Sequence, residues 1–197
     1  GYRLLPRFLV ATVPRATALV VLPAGALGPA LLAVGYPAGP VFLAGATLES
    51  VAVVAFAGSY LWLFSSTGRD RVGFYGPLVG VFAGVAGVAL GLQFALVGVD
   101  AALSLAHLRL NLFGLLGLSI VGVLYQFYPP AVASWPGTGD RLALASIVVY
   151  AAGLALSAAN PIVPATVGPA GHLLVAAAAL ASLYCVGGAI RVQTAGR

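Results

Sequence analysis

Two histidines are the residues of this sequence best suited to chemistry. His107 and His172 are the only imidazoles among 197 residues, and each lies in a long apolar run. Neutral imidazoles from two helices can hold one haem b between them as axial ligands. Imidazole also binds copper and zinc, but two nitrogens make an incomplete site, for which Glu49 would be a third ligand. The pair therefore indicates either a metal centre or polar contacts between helices.

Four further polar residues interrupt the apolar runs, where such residues are costly and often functional. They are Glu49, Gln93, Arg109 and Asn111. Asn111 lies one helical turn after His107 and shares its face, whereas Arg109 points about 200° away from that face. We expect Arg109 to extend to the outer interface, to pair with Glu49 or Asp100, or to meet a haem propionate. Glu49 and Gln93 would suit a polar site or a proton path.

The composition decides the environment in which these residues work. Hydrophobic residues make up 61% of the chain, charged residues 7%, and the mean hydropathy is +1.09. A soluble domain has about a quarter of its residues charged, so this is an integral membrane protein. The net charge of +5 comes from arginines that form no aromatic-bearing basic patch, which argues against nucleic acid. No nucleophile triad, phosphate loop or metal-hydrolase motif occurs, so we expect no catalysis by this chain alone.

Six apolar runs, separated by Pro, Gly or charged residues, predict an all-α bundle of six transmembrane helices in a single domain over 1–197. The predicted helices lie near 16–35, 41–65, 73–98, 101–127, 141–159 and 166–190. Pro23 and Pro29 fall inside the first helix, and each removes a backbone hydrogen bond there. A kink in that helix is therefore expected.

The arginines predict the orientation of the helices. All but one of the nine fall before the first helix, in alternate connections or after the last helix. They are Arg3, Arg7, Arg15, Arg69, Arg71, Arg141, Arg191 and Arg197. The positive-inside rule makes these segments and both termini cytoplasmic in a multi-pass protein of the cell membrane. His107 and His172 would then share a depth of roughly 9–10 Å below the outer boundary, with Glu49 at about 12 Å.

The third predicted helix carries a stripe of glycines with spacings of three and four residues. The stripe consists of Gly73, Gly76, Gly80, Gly84, Gly87 and Gly91. Small residues on one helix face let backbones approach closely in lipid. The stripe predicts tight helix packing, or alternatively room for a flat cofactor or lipid against the backbone.

Residues 106–129 resemble one helix of the membrane regions related to haem-copper oxidase subunit I and the NnrS family. The family pattern is His-x-His-Leu-Asn-Leu-x-Gly, with further glycines and a closing proline. His107 and Asn111 match it, as do the glycines at 114, 117 and 122, but Arg109 stands in place of the second histidine. The resemblance covers about 25 of the 197 residues. It implies haem or copper binding in respiration or nitrogen-oxide handling, without enough histidines for a binuclear centre.

These observations lead us to expect a haem-b-binding electron-transfer or accessory subunit with its site in the outer half of the bilayer. We expect a homo-oligomer or association with other membrane subunits, and an extracytoplasmic redox partner. Copper is the alternative metal. The alternative functions are a small proton-coupled transporter or channel using Glu49, and a purely structural membrane subunit.

Overall fold

The computed structural model describes residues 15–67, 71–159 and 167–195, and this part of the chain is helical with no strand. Its α-helices are α1 (Arg15–Gly35), α2 (Pro40–Thr67), α3 (Tyr75–Val97), α4 (Ala101–Arg109), α5 (Ser119–Phe127), α6 (Asp140–Ala158) and α7 (Val167–Ala195). Short 3₁₀ turns precede α3 at Val72–Phe74 and follow α5 at Pro130–Val132. A π-helix, Leu110–Leu118, joins α4 to α5.

Six helical segments of the described residues are long and apolar enough to cross a membrane. They are α1, α2, α3 with its 3₁₀ turn, the α4–π–α5 segment, α6 and α7. The predicted class, an all-α multi-pass membrane protein with six spans, is therefore confirmed. The cytoplasmic placement of both termini stays a prediction.

Two local features differ from the expected helices. The span over 101–127 is not a uniform α-helix, because its middle third has the i→i+5 hydrogen bonding of a π-helix. The last helix continues five residues past position 190, to Ala195. Hydropathy indicates which residues of a helix lie in lipid. The helix itself continues until its backbone hydrogen bonds end, so polar residues from Arg191 onward can remain helical.

The described contacts divide the chain into two compact units. The first comprises 15–67 and 81–111, and the second comprises 71–80, 112–159 and 167–195. The expectation of a single domain stays a prediction.

In the first unit, α1 packs along α2 through glycines. A Cβ built on Gly45 would lie 2.6 Å from the Leu32 amide nitrogen, and one on Gly28 would lie 2.9 Å from the Glu49 amide nitrogen. Side chains at these positions would push the helices apart. Helix α1 continues through Pro23 and Pro29 without a break.

In the second unit, α6 and α7 pack in the same way. A Cβ on Gly171 would lie 2.6 Å from the Ser157 amide nitrogen and 2.7 Å from the Gly153 carbonyl oxygen. A Cβ on Gly153 would in turn lie 2.7 Å from the Gly171 carbonyl oxygen. The two backbones are therefore in direct contact, with no space between them for a side chain.

We predict that Gly171→Val lowers the free energy of unfolding by about 3 kcal/mol, because the new side chain must push apart two helix backbones that are already in contact. Gly58→Val is the matched control, since a Cβ at that exposed helical glycine meets nothing within 4 Å. It should change the free energy of unfolding by no more than about 0.5 kcal/mol. Denaturation in detergent micelles, followed by circular dichroism, measures both. Equal effects of the two variants would contradict the packing described.

Candidate functional site

The imidazole of His107 is hydrogen-bonded to the backbone of α3. His107 Nδ1 lies 2.7 Å from the Gly87 carbonyl oxygen, and both residues belong to the first unit. A carbonyl oxygen only accepts, so Nδ1 carries the proton and donates it. In the neutral imidazole Nε2 is consequently left with a lone pair. Histidines that bind metals usually have this arrangement, in which the second ring nitrogen donates to a carbonyl or carboxylate and fixes the ring.

Asn111 supports His107 from one turn further along the chain. Its Nδ2 donates to the His107 carbonyl oxygen at 2.9 Å. The same Nδ2 lies 3.3 Å from His107 Nδ1, but the proton on Nδ1 rules out acceptance there. Asn111 thus fixes the backbone of α4 where the π-helix begins. Such π-helical segments often occur at functional sites.

Two glycines of the predicted stripe make room for this pair. A Cβ on Gly87 would lie 2.6 Å from Asn111 Nδ2, and a Cβ on Gly91 would lie 2.9 Å from His107 Cε1. The Phe94 ring closes one side of the imidazole with its edge, at a centroid distance of 5.7 Å and an interplanar angle of 67°. Three consecutive turns of α3 therefore form the surface on which His107 rests.

The other glycines of the stripe that have described contacts lie in the second unit. A Cβ on Gly76 would lie 2.6 Å from the Leu118 carbonyl oxygen, and one on Gly80 would lie 3.0 Å from Ser119 Oγ. Gly84 is buried. These contacts are the close approach of helices that the spacing predicts.

His172 occupies a different environment on α7, in the second unit. Its side chain is exposed, while the neighbouring Gly168 and Gly171 are buried and face the rest of that unit. Ala176 and Leu183, which follow on the same face of α7, are also exposed. The pairing of His172 with His107 stays a prediction.

Arg109 and Asp100 occupy defined positions on α4. The Arg109 side chain is buried, with 9% of its surface exposed. Asp100 is the N-cap of α4, because its Oδ1 accepts hydrogen bonds from the amides of Ala102 and Leu103 at 2.8 and 3.1 Å. The carboxylate of Asp100 thus has a structural role at the start of the helix.

Glu49 lies between α1 and α2, where Gly28 makes room for it. A Cβ on Gly28 would lie 2.9 Å from Glu49 Oε2, and this buried oxygen has no hydrogen-bond partner among the described residues. Gln93 on α3 is exposed. The described residues contain no cluster of three His, Cys, Asp or Glu side chains able to hold a metal ion. Haem b and copper both stay predictions.

A second group of buried polar residues was not predicted as a site. In the second unit, Tyr125 OH and Ser146 Oγ are 2.8 Å apart, and Ser182 Oγ lies 3.1 Å from Ser146 Oγ. Gln126, beside them on α5, is buried without a partner for either amide atom among the described residues. These residues come from three helices distant in sequence, so no local spacing brings them together. The only sequence signal was the presence of Tyr, Ser and Gln126 near the end of the apolar runs.

The chain matches no model of a known protein family, no curated protein and no solved structure. The likeness of residues 106–129 to the haem-copper oxidase and NnrS-related helix stays a prediction.

We predict that neutral His107 is the Nδ1–H tautomer in the metal-free protein, because Gly87 offers only an acceptor. Nitrogen NMR of protein labelled with ¹⁵N-histidine, at a pH where imidazole is neutral, distinguishes the two tautomers. The chain has two histidines, so His172→Gln assigns the His107 signals. A proton on Nε2 of His107 would contradict the geometry.

Proposed function

We propose that the chain is a haem-b-binding membrane subunit that transfers electrons or assists a larger electron-transfer assembly, with His107 as the residue that would hold the haem iron. The observation that carries this proposal is the hydrogen bond from His107 Nδ1 to the Gly87 carbonyl oxygen. That bond leaves Nε2 free to donate its lone pair and holds the ring in one orientation, as a ligand histidine requires. Haem iron, when bound, supplies one-electron redox chemistry.

The chain's own residues would hold and tune such a group. Gly87 keeps the His107 ring in one tautomer through the bond to Nδ1, and Asn111 holds the His107 backbone through its carbonyl oxygen. His172, exposed on α7, stays a second candidate ligand for a haem iron. Arg109 is the candidate for pairing with a propionate, for which a guanidinium is well suited. An oligomer or a neighbouring membrane subunit, and an extracytoplasmic redox partner, complete this proposal.

The visible spectrum of protein purified from a haem-replete host tests the proposal. We expect a Soret band that shifts on reduction and is lost in His107→Ala. His107→Met should keep bound haem with a changed spectrum, because a thioether can also ligate iron. Leu105→Ala, at an exposed position on α4, is the control and should leave the spectrum unchanged. A colourless wild-type protein, or a full band in His107→Ala, would rule out this role.

The second candidate function is a small proton-coupled transporter or channel, and one observation favours it. Glu49 Oε2 is buried between α1 and α2 with no hydrogen-bond partner among the described residues. A carboxyl with a buried, unpartnered oxygen within a span is costly unless it is neutralised or contacts water, so such groups often take up and release protons.

For this second function we predict that Glu49→Gln abolishes proton flux in vesicles that contain the purified chain and a pH-sensitive dye. Glutamine keeps the shape and polarity of the side chain but cannot bind and release a proton. Glu49→Asp should retain part of the flux because it keeps a carboxyl group. Equal flux in the wild type and Glu49→Gln would exclude Glu49 as the proton carrier. If neither haem nor flux is found, a structural membrane subunit remains.

A further inference from the structure

The second unit contains a groove of about 230 Å³ between α5 and α7, and one residue of α6 completes its wall. The lining is almost entirely apolar and includes Ile120, Tyr150, Ala179, Ser182, Leu183 and Val186. Tyr150, Ser182 and Val186 are buried, whereas Ile120 and Leu183 are 49% and 62% exposed. The groove therefore has a closed floor and opens on the outer surface of the spans, where the acyl chains of the bilayer lie.

Tyr150 brings an unpaired polar group to this apolar wall. Only 6% of its surface is exposed, and its hydroxyl has no hydrogen-bond partner among the described residues. The other polar side chain in the lining is paired, since Ser182 Oγ donates to the Ala178 carbonyl oxygen at 2.9 Å. The Tyr150 oxygen is not sealed inside the protein, in contrast to both amide atoms of Gln126. A molecule in the groove can therefore reach this hydroxyl.

Gly117 makes room for the hydroxyl of Tyr150. A Cβ on Gly117 would lie 2.7 Å from this oxygen, so glycine leaves the space that the hydroxyl occupies beside the π-helix. Gly117 precedes Val121 of the groove wall by about one helical turn. The ring of Tyr150 thus reaches from α6 to the helical segment that forms one wall, and its hydroxyl lies at one end of the groove.

The depth of Tyr150 restricts the molecules that can pair with it. Counted from Asp140, Tyr150 is the eleventh of the 19 residues of α6, hence about 15 Å from the start of this membrane-spanning helix. The hydrocarbon core is about 30 Å thick, so the hydroxyl lies near its middle. Phospholipid headgroups and ester groups remain near the membrane surfaces, and acyl chains offer no hydrogen-bonding atom. A partner for this hydroxyl must therefore be a polar atom carried by an otherwise apolar molecule.

We propose that this groove binds the ring of a membrane-dissolved quinone, with Tyr150 donating a hydrogen bond to one carbonyl oxygen. The ring lies against the aliphatic side chains of the walls, and the isoprenoid tail extends between Ile120 and Leu183 into the lipid. The volume is below the roughly 300–1,000 Å³ of pockets for drug-sized ligands, so the groove holds the ring and not the whole molecule. His107 belongs to the first unit, and the site does not depend on haem there.

Photoaffinity labelling of the full chain in nanodiscs tests the site, with an azido-substituted, short-tailed ubiquinone as the probe and decylubiquinone as the competitor. We expect label on the peptides that line the groove, and loss of that label as decylubiquinone is added. Ala179→Phe should abolish the labelling because the new ring fills the groove. Ala177→Phe, at an exposed position of α7 outside the lining, is the matched control and should label like the wild type. Equal labelling of the two variants, or label spread evenly over the spans, would overturn the proposal.

Tyr150→Phe tests recognition without changing the packing, because it removes the hydroxyl and keeps the ring. It should weaken binding of decylubiquinone about threefold to tenfold, as expected for one hydrogen bond between neutral groups. Tyr184→Phe is the control, since the Tyr184 hydroxyl donates to the Pro136 carbonyl oxygen outside the groove. Infrared spectra of decylubiquinone with ¹³C-labelled carbonyls give an independent readout. The bound carbonyl should absorb at a lower frequency than in lipid alone, and a shift that persists in Tyr150→Phe would contradict the proposal.

Decylbenzene distinguishes a quinone site from a groove that takes any apolar molecule, because it has a ring and the same tail but no carbonyl. It should displace the probe several times more weakly than decylubiquinone. Equal displacement would show that the groove is filled by acyl chains and would overturn the proposal. His107→Ala should label like the wild type, so the outcome for the quinone and the outcome for haem are measured separately.

Discussion

The close approach of helix backbones at glycine is the interaction on which the rest of this structure depends. Lipid tails are as apolar as the helices, so burial of apolar surface does not drive helices together inside a bilayer. Association relies on van der Waals contact, which is strongest where no side chain separates the backbones. Gly45 against Leu32 in the first unit, and Gly171 against Gly153 in the second, are contacts of this kind.

The same glycines accommodate the few polar side chains of the spans. Asn111 rests on Gly87, Glu49 on Gly28, and Gln126 on Gly73. Glycine leaves space for a polar group and also exposes the carbonyl oxygen of its own helix, as the bond from His107 to the Gly87 oxygen illustrates. A glycine stripe in this chain is therefore both a packing surface and the place where polar residues can be held between helices.

The sequence was sufficient to predict six spans because hydropathy reports directly on the solvent around a helix. It also placed Asn111 on the face of His107, since that relation needs only the α-helical period within one turn. The π-helix from Leu110 was not predictable, because apolar residues and glycines fit α- and π-hydrogen bonding alike. The buried Gln126 was missed for another reason. Its environment is made by segments far apart in the chain, and no periodicity within one helix reports on such contacts.

The polar residues within the spans differ in which of their donor and acceptor atoms have a hydrogen-bond partner. This difference indicates a different role for each residue. His107 Nδ1 has a backbone acceptor, so the ring is fixed and only Nε2 remains available. Glu49 has an unpaired oxygen, but a carboxyl can bind a proton and become neutral without any other molecule. Gln126 lacks that option because an amide does not titrate. Its donor and acceptor have no partner among the described residues, so the unpaired amide is a cost to the stability of the second unit.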